Sequence, residues 1–194
     1  MTDQKRPYRM KRRAELEAAT RRRITESAME LHGTLGPSRT SVSAVAERAG
    51  VRRSTVYRHF PDEMSLFAAC SAHWRAANPT PDLGRLAPIE DPDERLRKAL
   101  RELYAFYRRN ERMLDNLVRD EPLMPTVRWT FEGFRAYLAG TRDMLMAGRR
   151  GRKRQRAAIG HALAFTTWRS LAREQELDDR QAADLMCRLV AAAA

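Results

Sequence analysis

The chain has 194 residues, with 37 Lys and Arg against 25 Asp and Glu and a formal net charge of +12. That length allows one large or two small domains with a real core, and the basic excess points to a polyanionic partner such as nucleic acid. No window approaches the ~20 apolar residues of a membrane span, and no hydrophobic run of the secretory kind follows the basic N-terminus, so a soluble, cytoplasmic protein without a membrane partner is expected.

Residues 1–23 hold nine basic side chains against Asp3, Glu15 and Glu17. Residues 1–13 read as a basic arm whose first eight residues form a solvated tail, with Arg9, Lys11, Arg12 and Arg13 as candidate DNA contacts. From Glu15 to about Thr34, Ala18, Ile24, Ala28 and Leu31 fall on one helical face, with Arg21, Arg22 and Arg23 early on it. Gly33 and Gly36-Pro37 end that helix. Thr40 or Ser41 can cap the next, because a hydroxyl there accepts from free backbone N–H groups. Val42, Val45, Ala46 and Ala49 give the second helix an apolar stripe. Gly50 can take the left-handed conformation that closes it, and Val51 tucks beneath the corner. The third helix, Arg53 to about Phe60, turns Val56 and Phe60 inward. A two-turn helix is marginal alone in water, so it must be mounted on its neighbours. Arg52, Arg53, Tyr57, Arg58 and His59 crowd its remaining surface, which suits a major groove better than an ordinary helical corner. The motif at 41–60 therefore reads as a helix-turn-helix. Pro61-Asp62-Glu63 breaks, caps and restarts the chain, and Leu66, Phe67, Cys70 and Trp74 line the buried face of a fourth helix.

The segment Asn78-Pro-Thr-Pro-Asp-Leu-Gly marks a boundary, giving a helix-turn-helix domain at 14–77 and a second domain at 84–194. Helices are expected from Pro92 to about Arg109, Asn110 to Arg119, Val127 to Met146, Arg154 to Glu174, and Asp179 to the C-terminus. No strand alternation or internal repeat is present. The fold class is all-α, with about nine helices. Tyr104, Tyr107, Trp129, Phe131, Phe134 and Tyr137, with Met113 and Leu117 nearby, could line a cavity for an apolar or planar small molecule. The same spacing also suits plain core. In the last two helices, Ala162, Phe165, Thr166 and Arg169 on one and Leu185, Met186 and Leu189 on the other are candidates for a four-helix dimer interface. The basic run at 149–156 reads as a solvated loop, and Cys70 and Cys187 as reduced core residues. There is no H-E-x-x-H, no phosphate-binding loop, no G-x-S-x-G elbow and no Glu-x-x-His pair. No catalytic residue, metal site or cofactor is expected, and a helical-bundle enzyme is the rival reading set aside.

The run Ala49-Gly-Val, then Ser54-Thr-Val-Tyr-Arg-His-Phe60, followed by Pro-Asp-Glu and Leu66-Phe67, resembles the TetR (tetracycline-repressor) family of bacterial transcription regulators. The resemblance covers roughly residues 20–75 closely. It implies an all-α homodimer, with a three-helix helix-turn-helix domain followed by a helical effector-binding and dimerisation domain. It also implies double-stranded DNA as partner and, as the family default, ligand-released repression at a quasi-palindromic operator. Regulation without a ligand is the alternative. Thr55, Tyr57 and His59 stand where the family contacts phosphate or base. Arg52, Arg53 and Ser54 open the helix toward base edges; Arg53 is assigned to a base and Arg58 to a phosphate. Thr40, Ser41 and Ser43 can grip phosphate with hydroxyl and amide groups. Two departures stand out. Glu63 replaces the lysine common at the start of the fourth helix, and Ser43 replaces the arginine common in the second, so the basic segment at 9–13 or 21–23 is expected to compensate.

Overall fold

The computed structural model describes residues 5–194, and every regular element among them is helical. Nine α-helices run in order among these described residues: α1 Lys5–Thr34, α2 Val42–Arg48, α3 Arg53–His59, α4 Glu63–Ala77, α5 Pro92–Asp120, α6 Pro125–Met146, α7 Arg152–Ala162, α8 Phe165–Arg169 and α9 Asp179–Ala192. Short 3-10 turns follow α1 and α4, at Pro37–Arg39 and Leu83–Leu86, and a π-helical turn, Ser170–Glu174, continues α8. The chain forms two compact units. The first runs to Asn78 and also takes in Asp115–Arg128; the second holds Pro79–Leu114 and Trp129–Ala194. The boundary expected from sequence puts residues 115–128 in the second domain instead. None of the described helices is long and apolar enough to cross a membrane.

In the first unit α1 packs on α4 and α2, and α2 packs on α3. Ile24, Ala28 and Leu31 of α1 meet the buried Leu66, Phe67 and Cys70 of α4, while Val45, Ala46, Ala49, Val56 and Phe60 fill the space beneath the corner. Each large apolar side chain so buried contributes roughly 1.5–3 kcal/mol. Gly50 turns the corner with φ +62°, and the Val51 amide closes back on the Ala46 carbonyl. Asp62 and Ser65 form a reciprocal capping box that starts α4. The expected buried face of α1 needs correction at Ala18, which is exposed like every described side chain from Tyr8 to Ala19. The stretch expected as an arm is helical from Lys5; residues 1–4 of that reading lie outside the described residues.

In the second unit Leu96, Ala99, Leu100, Leu103, Tyr104, Phe106 and Tyr107 of α5 are buried together with Leu145, Ile159, Leu163, Phe165, Trp168, Met186 and Val190. Two helix boundaries differ from expectation. The helices expected at 92–109 and 110–119 are one continuous α5, because Asn110 is buried and donates to the Phe106 carbonyl one turn back (2.9 Å). The helix expected at 154–174 is interrupted at Leu163 and Ala164. The carbonyls of Ala162 and Leu163 there accept from the Tyr104 and Tyr107 hydroxyls (2.8 and 2.6 Å).

Candidate nucleic-acid interface

The short helix α3 divides its side chains by face. Val56 at 1% exposure and Phe60 at 1% seal the inner side, while Arg52, Arg53, Ser54, Tyr57 and Arg58 are exposed and Thr55 is half-buried. Arg53 lies back over Tyr57, with its guanidinium carbon 5.4 Å from the ring centroid and Nη2 donating to the phenol oxygen (3.0 Å). That cation–π contact holds a bidentate donor and an aromatic hydroxyl side by side. On α2, Ser41 is the N-cap and accepts from the Ala44 amide (3.1 Å), leaving the exposed hydroxyl of Ser43 beside it. Thr40 is half-buried and spends its hydroxyl on the Gly36 carbonyl (2.8 Å).

His59 corrects the sequence reading. It is buried at 8% exposure, its Nε2 is buried with no hydrogen-bond partner, and burial, then Arg58, lower its pKa. It shares the inward face because it lies three residues after Val56. It is core, not groove.

Arg21, a secondary DNA candidate on sequence alone, has a structural task. Its guanidinium carbon sits 4.1 Å from the centroid of the Phe60 ring and Nη1 donates to the His59 carbonyl, closing the C-terminal end of α3. Arg48 pairs with Glu30 and ties α2 to α1. Arg22, Arg23, Arg9, Lys11, Arg12 and Arg13 are exposed along α1. The expectation of an extended arm there gives way to helix.

Sequence reasoning missed a second constellation in this unit. Asn116, Arg119 and Asp120, from the last turns of α5, grip the loop between α1 and α2. Asp120 is fully buried. Burial works to raise its pKa, but Arg119 and the Ser38 amide outweigh it and hold the carboxyl below its usual range. The one available signal was Gly36-Pro37, a backbone needing glycine; its partners, eighty residues on, carry no local signature.

The residues proposed for an effector pocket are distributed otherwise than expected. Tyr104 and Tyr107 are fully buried with their hydroxyls committed to backbone, and Phe131 is buried. Phe134 and Tyr137 are half-buried, Tyr137 donating to the Pro81 carbonyl (2.9 Å). Trp129 is 52% exposed. Met113 is half-buried, and Leu117 belongs to the first unit. Phe106, Phe165 and Trp168, which the pocket reading omitted, complete the ring cluster around Tyr107. Two open crevices in the second unit, about 550 and 410 Å³, are lined mainly by charged residues of α5, the π-turn and α9 and by none of the aromatics proposed.

The proposed dimer residues also divide. Ala162, Phe165 and Met186 are buried in the chain's own core, which removes them from an interface; Thr166, Arg169, Leu185 and Leu189 are exposed. The basic run at 149–156 is no free loop. Arg149 is nearly buried against Asp93 (2.8 Å), Arg156 pairs with Asp143 (2.6 Å), and the run opens α7. Cys70 and Cys187 are free and buried, and burial pushes their thiols up to about 12 and about 11.

A basic, outward-facing short helix packed on α2 across a glycine-turned corner and closed at its end by Arg21 of α1 has the form of a helix-turn-helix. Residues 24–70 match the family model of bacterial regulatory proteins, tetR family. The chain is 40% identical over 60 residues to the HTH-type transcriptional regulator AcrR of Shigella flexneri, covering 30% of this chain and 28% of that protein. It is 37% identical over 79 residues to the HTH-type transcriptional regulator SrpR of Pseudomonas putida, covering 39% of this chain and 37% of that protein. Across both units the fold resembles a TetR-like transcriptional regulator from Rhodococcus sp. RHA1, with TM-score 0.63, 21% identity, and 89% and 94% of the two chains covered. The similarity to these regulators in sequence is thus confined to the N-terminal part of this chain, which spans less than two fifths of the length of either relative.

Proposed function

We propose that the protein is a transcriptional regulator that reads a quasi-palindromic operator as a homodimer and releases it when a small molecule binds the second unit. The observation that carries the DNA reading is the α3 surface. Arg52, Arg53, Ser54, Tyr57 and Arg58 point outward from a helix whose opposite side is sealed by Val56, His59 and Phe60. Two such helices enter successive major grooves roughly 34–36 Å apart, one turn of duplex. Arg53 reads a base edge, Arg58 and the Ser41–Ser43 hydroxyls hold phosphate, and the basic face of α1 adds phosphate contacts as a helix. Pairing of two copies is supported by Leu185 and Leu189, 37% and 51% exposed one turn apart on α9, with Thr166 and Arg169 exposed on α8. The protein works in the cytoplasm, where its DNA is.

Regulation without a ligand is the second reading, and the committed hydroxyls of Tyr104 and Tyr107 favour it, since those rings are already core. The test is selection of bound fragments from genomic DNA, followed by a thermal-shift screen of small molecules against the purified protein. The proposal predicts enrichment of a two-fold symmetric site and at least one compound that both raises the melting temperature and elutes the protein from that site, because a ligand of the folded state must stabilise it. A symmetric site with no such compound assigns the ligand-independent reading; no enriched sequence removes both.

A further inference from the structure

The loop joining α1 to α2 carries the mounting of the helix-turn-helix, and its backbone partners come from far along the chain. A helix leaves its last four carbonyls without intrahelical donors. Here the carbonyls of His32 and Gly33 accept from Asn116 Nδ2 (3.1 and 3.0 Å), and that of Leu35 accepts from Arg119 Nη2 (2.9 Å). The Ser38 amide donates to Asp120 Oδ2 (2.9 Å). Arg119 is in turn held by Asn116 Oδ1 (2.9 Å) and by both Asp120 oxygens (2.8 and 3.2 Å), so the three side chains act as one body. Gly36 completes the fit. Its φ is +96°, and a Cβ there would collide with Arg119 Nη2 and fall 2.6 Å from Asp120 Oδ2.

We infer that Asn116, Arg119 and Asp120 are positioning residues for DNA reading, a clamp that sets where α2 begins and therefore where α3 is presented. Ser41, the cap of α2, stands three residues after the clamped Ser38 amide, and α3 packs on α2. The segment matched by the family model ends at residue 70, so the DNA-reading domain of this chain is completed by residues outside it. None of the three touches DNA; they act through the loop. The inference rests on the DNA-binding reading above.

The test uses the whole 194-residue chain with Asp120→Ala, Asn116→Ala and the half-exposed Arg119→Ala. Affinity per active molecule is measured for the selected operator and for a random duplex, and amide hydrogen exchange is followed without DNA. The expected result is a loss of about tenfold or more in operator affinity, the scale of one buried hydrogen-bond set left unsatisfied. Random-duplex affinity and the salt slope stay unchanged, because the groups that neutralise phosphate are all still in place. Exchange speeds up through residues 38–49 but not in α4. Asp120→Asn, which keeps an acceptor for the Ser38 amide, recovers part of the affinity. Operator affinity within twofold of the parent, or equal losses on both duplexes, would overturn the inference. Unchanged exchange at 38–49 in folded Arg119→Ala overturns the clamp whatever the DNA results. If the parent protein itself shows no sequence preference, the DNA reading fails, and the exchange result separately decides whether the clamp exists.

Discussion

Burial holds the His32 imidazole neutral down to about 4, with the Asp120 charge pulling the other way. The ring packs 5.2 Å from Phe67 and places Nδ1 3.3 Å from the Cys70 sulfur, inside the contact of α1 with α4. An unfolded histidine takes up its proton near pH 6.5, so between about 6.5 and 4 the unfolded chain binds a proton that the folded chain refuses. His32 therefore contributes nothing adverse above that window and destabilises the fold as pH drops through it, by on the order of 3 kcal/mol once the window is crossed. His59, lowered chiefly by its own burial, acts in the same direction. Denaturant titrations from pH 7 to 4 should show stability falling, with a slope reduced by up to one proton in His32→Gln; parallel curves for parent and variant would remove His32 as the cause. The sequence reading set His59 on the outer surface, although its place three residues after Val56 returns it to the buried face. The proximity of His32 to Cys70 and Asp120 was not legible, since it depends on which face of α1 meets which turn of α4 and α5.

Among the elements, α2 and α3 were the most legible. The spacing Val42, Val45, Ala46, Ala49 and the left-handed Gly50 are local facts, and local chemistry settled them. The continuity of α5 and the break between α7 and α8 were not local. Asn110 stays inside a helix because its side chain bonds one turn back, and the break at Leu163 and Ala164 is stabilised by two tyrosines from α5 that take the carbonyls nearby. The same limit applies to α1. Charge marked its first turns as basic, but no pattern of apolar residues announced a helix from Lys5 whose side chains from Tyr8 to Ala19 stay exposed. An exposed helix carrying Arg9, Lys11, Arg12 and Arg13 suits a polyanion running alongside it. Deleting residues 1–13 should reduce the slope of log affinity against log salt by about 0.9 for each phosphate no longer neutralised. A slope equal to the parent's would leave that helix without a DNA role.

At the scale of the whole molecule, residues 24–70 match the tetR family model, and the fold of both units resembles that of a TetR-like regulator. Composition pointed to a polyanionic partner, and the helix-turn-helix pattern is what turns that expectation toward duplex DNA. The division of labour within the second unit was far less legible. Apolar residues at helical spacing look alike whether they close a core, line a cavity or face a second copy, and Ala162, Phe165 and Met186 proved to be core. Everything in the functional account requires that the outward side chains of α3 discriminate between base sequences. The direct measurement is the ratio of operator to random-duplex affinity for the parent, Arg53→Ala and Arg58→Ala at one fixed salt concentration. The parent ratio should reach at least ~10³. Arg53→Ala should lower that ratio by the ~1–3 kcal/mol of one bidentate base contact, and Arg58→Ala should weaken both duplexes together and leave the ratio intact. A parent that binds both duplexes equally, or a ratio untouched by Arg53→Ala, would contradict it.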